Sequence, residues 1–237
     1  APPESLANVA NYLNVLTANG FQMIVGFGNT FLLIVISVTL SVAIGTMATY
    51  VLERFDFRLR GTILLLFALS VLFPKETTHV ATFSIIKFLG LFNTRAAGVA
   101  LYVGTDIIQL MIFMQFIANI PRSIDESALM DGAGYLTIFT RMIVPLMAPA
   151  ITTAVIIKSV WIYNDLFVPY LYMPKKSLST VTTALLAIGE DGGGAGGITN
   201  WPVMSAAVLI AVIPTLILYI FFQRHIIAGL SEGSTKF

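Results

Sequence analysis

Long apolar stretches separated by short polar segments are the dominant pattern of this sequence. The hydrocarbon core of a bilayer is about 30 Å thick, so a helix rising about 1.5 Å per residue crosses it in about 20 residues. Stretches of this length with few or no charges predict an all-α, polytopic membrane protein with a single transmembrane domain. The five predicted spans cover residues 27–52, 62–91, 96–118, 146–173 and 203–222.

The composition agrees with a bilayer environment. Hydrophobic residues make up 57% of the chain and charged residues 11%, whereas charged residues are about 25% of an ordinary soluble domain. A net charge of +1 provides no cationic surface for nucleic acid. The chain has no cysteine, and its two histidines, His79 and His225, are too few for a zinc motif. We therefore expect neither a thiolate nor a metal site.

The positive residues of the short connections indicate the orientation, because cytoplasmic connections are enriched in Lys and Arg. One side of the predicted membrane collects Arg54, Arg58, Arg60, Arg122, Arg141, Arg224 and Lys236. The other side has Arg95, Lys175 and Lys176, with Lys87 as a fourth if the end of its span is counted. We expect the first side to be cytoplasmic. Residues 1–26 are then external, and the loop 119–145 and the tail 223–237 are cytoplasmic.

The loop 119–145 is too charged to cross the membrane and too regular to be unstructured. Ser123 and Glu126 have the spacing of a capping box, which predicts the start of a short helix that Asp131 and Gly132 then end. The apolar residues that follow have the spacing of one helical stripe: Tyr135, Leu136, Ile138, Phe139, Met142 and Ile143. This pattern fits either a docking surface or an interfacial helix lying on lipid headgroups.

Within this loop, the string ESALMDGA resembles the EAA loop of the membrane subunits of binding-protein-dependent ABC importers. That motif reads E-A-A, three residues, G, nine residues, a branched apolar residue, one residue, L and P. Here Pro145 follows Gly132 by thirteen residues, as the motif requires. The departures from the motif are Ser127 for the first Ala, Met142 for the branched residue and Val144 for Leu.

Three further motifs resemble the carbohydrate branch of that family, the relatives of the smaller maltose-permease subunit. They are LGLFNT at 89–94, YNDLFVPYL at 163–171 and FQRHIIAGLSEGSTKF at 222–237. Tyr163 replaces a usual Trp, and Phe237 stands where the family usually has Gly. Such subunits usually have six spans with both ends in the cytoplasm. The resemblance therefore implies that the first, N-terminal helix is absent from this sequence.

The resemblance also implies what the loop does. In the family, the EAA helix sits in a cleft of a cytoplasmic ATPase and transmits the closure of that cleft to the spans. Glu126 is then expected to contact the ATPase, and Gly132 to permit the bend after the helix. Small residues keep the approach close, and the whole expected coupling site comprises Glu126, Ser127, Ala128, Asp131, Gly132, Ala133 and Pro145.

Several partners follow from the same resemblance: a second homologous permease, two cytoplasmic ATPase subunits, an extracytoplasmic solute-binding protein and a sugar substrate. The chain lacks a G-x-x-x-x-G-K-[ST] phosphate loop, so we expect no cofactor in it and no enzymatic activity. ATP and Mg are expected on the partner ATPase. The implied location is the bacterial or archaeal cytoplasmic membrane. Lys175, Lys176 and the glycine-rich segment 192–197 are candidate contacts of the binding protein, and that segment otherwise serves as a flexible spacer.

Charged and polar groups inside the predicted spans are costly unless they face a cavity or a partner. Lys75 and Glu76 fall thirteen residues into the span 62–91, where Pro74 is expected to kink the helix and Lys75 shares a face with His79. Two interpretations remain open: ion pairs between helices, or a lining of the translocation path. They apply to Lys75, Glu76, Asp106, Lys158 and Asp165, and the expected pathway or intramembrane polar network also includes His79, Tyr163 and Asn164.

The residues 161–165 are the best sequence candidates for contact with a sugar, because Trp161 and Tyr163 could stack on it while Asn164 and Asp165 hydrogen-bond to it. Aromatic residues at the end of a span also form interfacial belts, which is the alternative.

We therefore expect one permease half of an ATP-driven ABC importer for a sugar or oligosaccharide. The alternative is an ion- or proton-coupled secondary carrier, which the intramembrane charges suggest. That alternative leaves the loop 119–145 unexplained, and the paired repeats typical of such carriers are not evident.

Overall fold

Helices form all the regular structure in the described part of the chain. The computed structural model describes residues 9–72, 75–191 and 201–231. Within these ranges no strand is present, which confirms the all-α prediction for them. The helices are α1 (Val9–Arg54), α2 (Arg60–Ser70), α3 (Lys75–Phe88), α4 (Arg95–Tyr102), α5 (Ile107–Asn119), α6 (Arg122–Met130), α7 (Tyr135–Ile138), α8 (Val144–Leu146), α9 (Ala148–Asn164), α10 (Phe167–Tyr172), α11 (Val181–Asp191) and α12 (Trp201–Ser231).

Two stretches of helix among the described residues are long and apolar enough to cross a bilayer unbroken: Gln22–Arg54 in α1 and Trp201–Ile220 in α12. Two bent pairs, α4 with α5 and α7–α8 with α9, reach that length together, so the described part offers two such spans, or four if each pair is one. The number of five spans stays a prediction. Residues 9–26, expected outside the membrane, are helical and continuous with the first span.

The predicted span 62–91 is not one helix. α2 ends at Ser70 and α3 begins at Lys75. Pro74, the expected position of the kink, lies outside the described residues. The expectation that Lys75 and Glu76 lie thirteen residues inside a kinked helix is therefore wrong, because they open a new one.

The predicted span 146–173 is also interrupted. Tyr135–Leu146 and Ala148–Asn164 meet at an angle of 73°. Pro145 and Pro149 flank this bend at Met147, where missing amide donors weaken the helix. A second break, at residues 165–166, separates α9 from α10.

The chain divides into two compact units, and each has its own core. In the unit made of Ala1–Ser37, Ala81–Tyr102 and Ser159–Phe221, the N-terminal half of α1 packs closely on the start of α11. Asn29 Nδ2 donates to the Ser177 and Ser179 carbonyls at 3.0 and 2.9 Å. The core of this unit contains Val15, Met23, Tyr163, Val181, Ala184, Ile188, Ala206, Ala207 and Ala211.

The other unit comprises Val38–Val80, Val103–Lys158 and Phe222–Phe237. Its core joins the C-terminal half of α1 with α5 and with α6 to α9. The buried members are Tyr50, Phe113, Ile117, Ala128, Ile138, Phe139, Ile143, Met147, Ala150 and Ala154. The short helix α6 is therefore packed into a core through Ala128 rather than attached only by its ends.

Candidate functional site

α6 has one face in the core and the other exposed. Ala128 is buried at 3% exposure, whereas Glu126 and Ser127 are exposed and Met130 reaches 89%. An exposed carboxylate beside an exposed methionine at the tip of a short, anchored helix forms a compact surface with polar and apolar parts. The structure thus places six of the seven predicted coupling residues on α6 and the turn after it, whereas the seventh, Pro145, lies in α8.

The start of α6 differs from the predicted capping box. Pro121 occupies the N-cap position, with φ −57° and ψ 134°, and no side chain caps the helix. Ser123 already lies inside the helix, one residue beyond its start at Arg122. The fixed φ of proline and the extended backbone of Ile120 set the start of the helix instead.

A Schellman motif ends α6. Gly132 has φ +82°, in the left-handed region that glycine adopts without strain. The Gly132 amide donates to the Leu129 carbonyl at 3.0 Å, and the Ala133 amide donates to the Ala128 carbonyl at 2.9 Å. Ala133 also packs against the core cluster that contains Ala128. The glycine is thus required by the turn itself, while Asp131 beside it is exposed.

An ion pair that the sequence did not reveal holds the buried face of α6 against the end of α1. The Nε of Arg54, the last residue of α1, lies 2.9 Å from Oδ2 of Asp125, and both side chains are largely buried. Nη2 of Arg54 also donates to the Ile120 carbonyl at 2.9 Å. Asp125 lies three residues before buried Ala128, so spacing could have placed it on the inner face, but nothing local identifies its cation.

The predicted apolar stripe is only partly buried. Ile138, Phe139 and Ile143 lie in the core, whereas the other three members of the stripe, Tyr135, Leu136 and Met142, are exposed. A π-helical turn, Phe139–Ile143, changes the period: the Val144 amide donates to the Phe139 carbonyl, five residues back. Met142 is thereby turned outward, and the expectation of one continuous stripe is wrong.

This π-helical turn ends two residues before Pro145, which is exposed in the first turn of α8. A proline ring clashes with the carbonyl four residues before it in an α-helix, so a wider turn at this point relieves the clash. Phe139 of the turn packs its ring on Tyr50 of α1, with centroids 5.3 Å apart.

Lys158 lies at the centre of a buried polar cluster. Its side chain is on α9, the residue is 5% exposed, and Nζ donates to Ser41 Oγ at 2.6 Å and to the Gly104 carbonyl. Ser41 Oγ donates to Gln109 Oε1 at 3.0 Å, and Gln109 Nε2 donates to the Ser41 carbonyl at 3.1 Å. The predicted group Lys158 therefore joins α1 to the break between α4 and α5.

Asp106 caps α5, and Asp165 accepts a backbone hydrogen bond in the turn before α10. Asp106 Oδ1 accepts the Gln109 amide at 2.8 Å at the start of α5. Asp165 Oδ1 accepts the Phe167 amide at 2.8 Å before α10, and its Oδ2 accepts the Tyr102 hydroxyl at 2.9 Å. Both carboxylates thus have structural partners at breaks in the helices, a role that neither interpretation of the sequence included.

The other predicted polar groups have different surroundings. Tyr163 is buried, and its hydroxyl donates to the Ala211 carbonyl at 2.6 Å, which explains the residue without a solute. Asn164 is exposed, and Trp161 is 40% exposed with its ring edge-to-face on Tyr102 at 5.7 Å. His79 is partly exposed. The side chains of Lys75 and Glu76, the two charges predicted inside the span 62–91, lie outside the described part of the structure.

A metal site would require a cluster of side chains that could bind the ion. Among the described residues, no group of three or more His, Asp or Glu side chains is placed to hold a metal ion.

Comparison with known proteins gives a family match over most of the chain. Residues 41–232 match the model of the family "Binding-protein-dependent transport system inner membrane component". A melibiose, raffinose and stachyose import permease of Bacillus subtilis is 30% identical over 215 residues, which cover 89% of this chain and 75% of the relative. A trehalose and maltose transport system permease of Thermococcus litoralis is 27% identical, covering 98% and 83%.

The fold has a solved counterpart. A chain of a bacterial ABC transporter involved in the import of the acidic polysaccharide alginate superposes with a TM-score of 0.80. The match covers 92% of this chain and 79% of the other at 20% identity. The likeness at this identity concerns the fold.

Proposed function

Because the chain belongs to the family of binding-protein-dependent transport system inner membrane components, we propose that it is one permease subunit of an ATP-driven importer for a sugar or oligosaccharide. The resemblance of its motifs to this family is confirmed by the match over residues 41–232. Support for the sugar class comes from the two sugar permeases that it resembles along most of its length.

The observation that carries the proposal is that α6 has one face buried in the core and the opposite face exposed. Its inner face is fixed in a core by Ala128 and by the ion pair of Asp125, while Glu126 and Met130 extend from the opposite side. A helix that merely lay on headgroups would turn a continuous apolar side to the lipid. α6 instead buries Asp125 and Ala128 within the protein, and its outer side mixes polar Glu126 with apolar Met130, which supports the interpretation that this side docks a partner.

In the proposed complex, α6 enters a cleft of a cytoplasmic ATPase. Glu126, Ser127 and Asp131 supply polar contacts, Gly132 holds the turn, and Ala128 and Ala133 keep the helix close to the core. Pro145 favours the π-helical turn that precedes it and so helps to set the shape of the same loop. ATP and Mg belong to the ATPase, so this chain contributes movement and a pathway rather than chemistry.

The proposal includes a second, homologous permease that completes the pathway, two ATPase subunits and an extracytoplasmic solute-binding protein, all in a bacterial or archaeal cytoplasmic membrane. Trp161 and Asn164 are the candidate solute contacts, because both are exposed on α9, one offering an aromatic ring and the other an amide. Tyr163, Asp106, Asp165 and Lys158 support the helices that position this path.

The test begins with the complex purified from its own cells through a tag on this chain. We expect an ATPase and a second permease to copurify, and mass spectrometry of the heated sample to detect a sugar. Glu126→Lys is expected to lose the ATPase and to retain the second permease, because only the docking contact is changed.

Uptake into vesicles of the sugar so identified then separates the two classes of transporter. Uptake that needs internal ATP and survives a proton uncoupler supports the importer. Uptake that survives ATP depletion and collapses with the ion gradient would favour the secondary carrier and overturn the proposal.

A further inference from the structure

Arg54 joins three helices of one compact unit at a single guanidinium. Arg54 is the last residue of α1, Asp125 is in the first turn of α6, and Ile120 is the residue after α5. Nε of Arg54 lies 2.9 Å from Asp125 Oδ2, and Nη2 donates to the Ile120 carbonyl at 2.9 Å. One side chain therefore holds the ends of α1 and α5 and the start of α6.

The contact is shielded from water. The side chains of Arg54 and Asp125 are 7% and 13% exposed, so solvent and salt screen their attraction weakly. The hydrogen bond from Nη2 fixes the guanidinium against the Ile120 carbonyl, whereas the contact of Nε with Asp125 is an ion pair without hydrogen-bond geometry. A buried pair of this kind resists sliding between the helices that it joins.

The covalent connection alone would leave α6 free to swivel. Ile120 and Pro121 are both extended, with ψ of 119° and 134°, so the chain between α5 and α6 has no helical continuity. A segment attached at one point rotates about it, whereas a second attachment fixes its direction. Asp125 supplies that second point, and a hydrogen bond of 3.2 Å from Arg122 Nη2 to the Glu53 carbonyl reinforces it.

We propose that Arg54 and Asp125 are positioning residues of energy coupling, which make α6 move as a rigid arm with the ends of α1 and α5. This inference rests on the proposed function, because it takes α6 as the helix that the ATPase displaces. Adjacent residues then have separate tasks: Glu126 faces outward for docking, and Asp125 faces inward for transmission of the movement to α1.

The separation of tasks makes the inference testable apart from docking. Removal of Arg54 alone would leave the carboxylate of Asp125 buried without its cation and could unfold the site. The double variant Arg54→Gln/Asp125→Asn removes both charges, with Asn of the same shape as Asp and Gln a shorter side chain that still carries an amide donor. The matched control Glu53→Gln/Arg60→Gln removes both ion pairs of Arg60, to Glu53 at 3.3 Å and to Asp56 at 3.4 Å, and neither pair involves α6.

The measurement is a distance between two spin labels in the purified complex, recorded by pulsed electron paramagnetic resonance with and without ATP in EDTA. The chain has no cysteine, so within it labels attach only at Val51→Cys of α1 and Tyr170→Cys of α10, both exposed positions, and any cysteines of the partner subunits are first replaced. We expect ATP to shift this distance by about 2 Å in the parent chain, the scale of helix shifts in coupled assemblies.

The double variant is expected to retain the ATPase at the parental stoichiometry but to lose the ATP-dependent shift. The Glu53/Arg60 control is expected to keep the shift, and so is Asp125→Glu, which preserves a carboxylate for Arg54. A merely structural role for the pair would instead lower the yield of complex and leave the shift intact in the molecules that assemble.

The outcomes separate this inference from the proposed function. If the ATPase fails to copurify with the parent chain, the proposed function is wrong. If it copurifies and the double variant shifts like the parent, or if the parent shows no shift, the coupling role of Arg54 and Asp125 is wrong while docking stands.

Discussion

The amide of Ala133 donates to the carbonyl of Ala128 at 2.9 Å, across a turn in which Gly132 has φ +82°. Together with the bond from the Gly132 amide to the Leu129 carbonyl, this bond closes α6 and returns the chain to the core in which Ala128 is buried. The outer surface of α6 therefore owes its shape to one backbone conformation, and substitutions at Gly132 test it directly.

Gly132→Val is expected to destabilise the turn by about 1–3 kcal/mol, because a β-branched residue at positive φ is strained even where space is open. A Cβ there would meet nothing within 4 Å, so strain and not a clash is the cause. Gly132→Asn should cost less, since Asn tolerates the left-handed region. The measurement is retention of the ATPase during purification, which should rank glycine first, then Asn, then Val.

Gly134→Ala provides the control, because Gly134 has an ordinary φ of −76° and equally open surroundings. It should leave ATPase retention unchanged. Equal losses at both glycines would show that the backbone conformation of Gly132 is not what the loop requires.

At Gly26, helix α1 passes close to the backbone of Thr180 and Val181. A Cβ at Gly26 would lie 2.9 Å from the Thr180 carbonyl oxygen, whereas one at Gly28 would meet nothing within 4 Å. Gly26→Ala should therefore lower the free energy of unfolding by about 1–3 kcal/mol. Gly28→Ala should be neutral or stabilising by up to about 1 kcal/mol, since alanine favours helix. Thermal unfolding in detergent compares the two, and the same melting temperature for both would contradict the packing.

The parts of this structure that depend on a few neighbouring residues could be predicted from the sequence. The short helix in the loop 119–145 and its end at Gly132 were predictable, because turn chemistry is read over a few residues. The π-helical turn before Pro145 was not, since its register depends on which side chains the core accepts. The pairing of Arg54 with Asp125 joins residues 71 positions apart, and no periodicity within one chain encodes such a partner.

Lys158→Met tests the buried polar cluster. The substitution keeps the volume but removes the donor to the Gly104 carbonyl, so we expect a loss of about 1–3 kcal/mol from the unpaired acceptor. Lys175→Met, at an exposed position, should change stability by less than about 0.5 kcal/mol. Unfolding in the same detergent distinguishes them, and a Lys158 variant as stable as the parent would show that the cluster is not structural.

Tyr163→Phe and Trp161→Ala should have opposite effects. Loss of the Tyr163 hydroxyl removes its bond to the Ala211 carbonyl and should cost about 1 kcal/mol of stability while leaving uptake per assembled complex unchanged. Trp161→Ala should reduce that uptake with a smaller effect on stability, because the ring is 40% exposed. If the Tyr163 variant folds normally but transports poorly, Tyr163 and not Trp161 contacts the solute, and the proposed assignment is wrong.

The most direct test of the account is photo-crosslinking from α6 in intact cells. A benzoyl-phenylalanine at Met130 is compared with one at Phe88, since both positions are 89% exposed and Phe88 lies toward the predicted external side. We predict that the probe at Met130 captures the cytoplasmic ATPase and the probe at Phe88 does not. Capture at neither position, or capture of an external protein at Met130, would contradict the central claim that α6 is the docking helix for the ATPase.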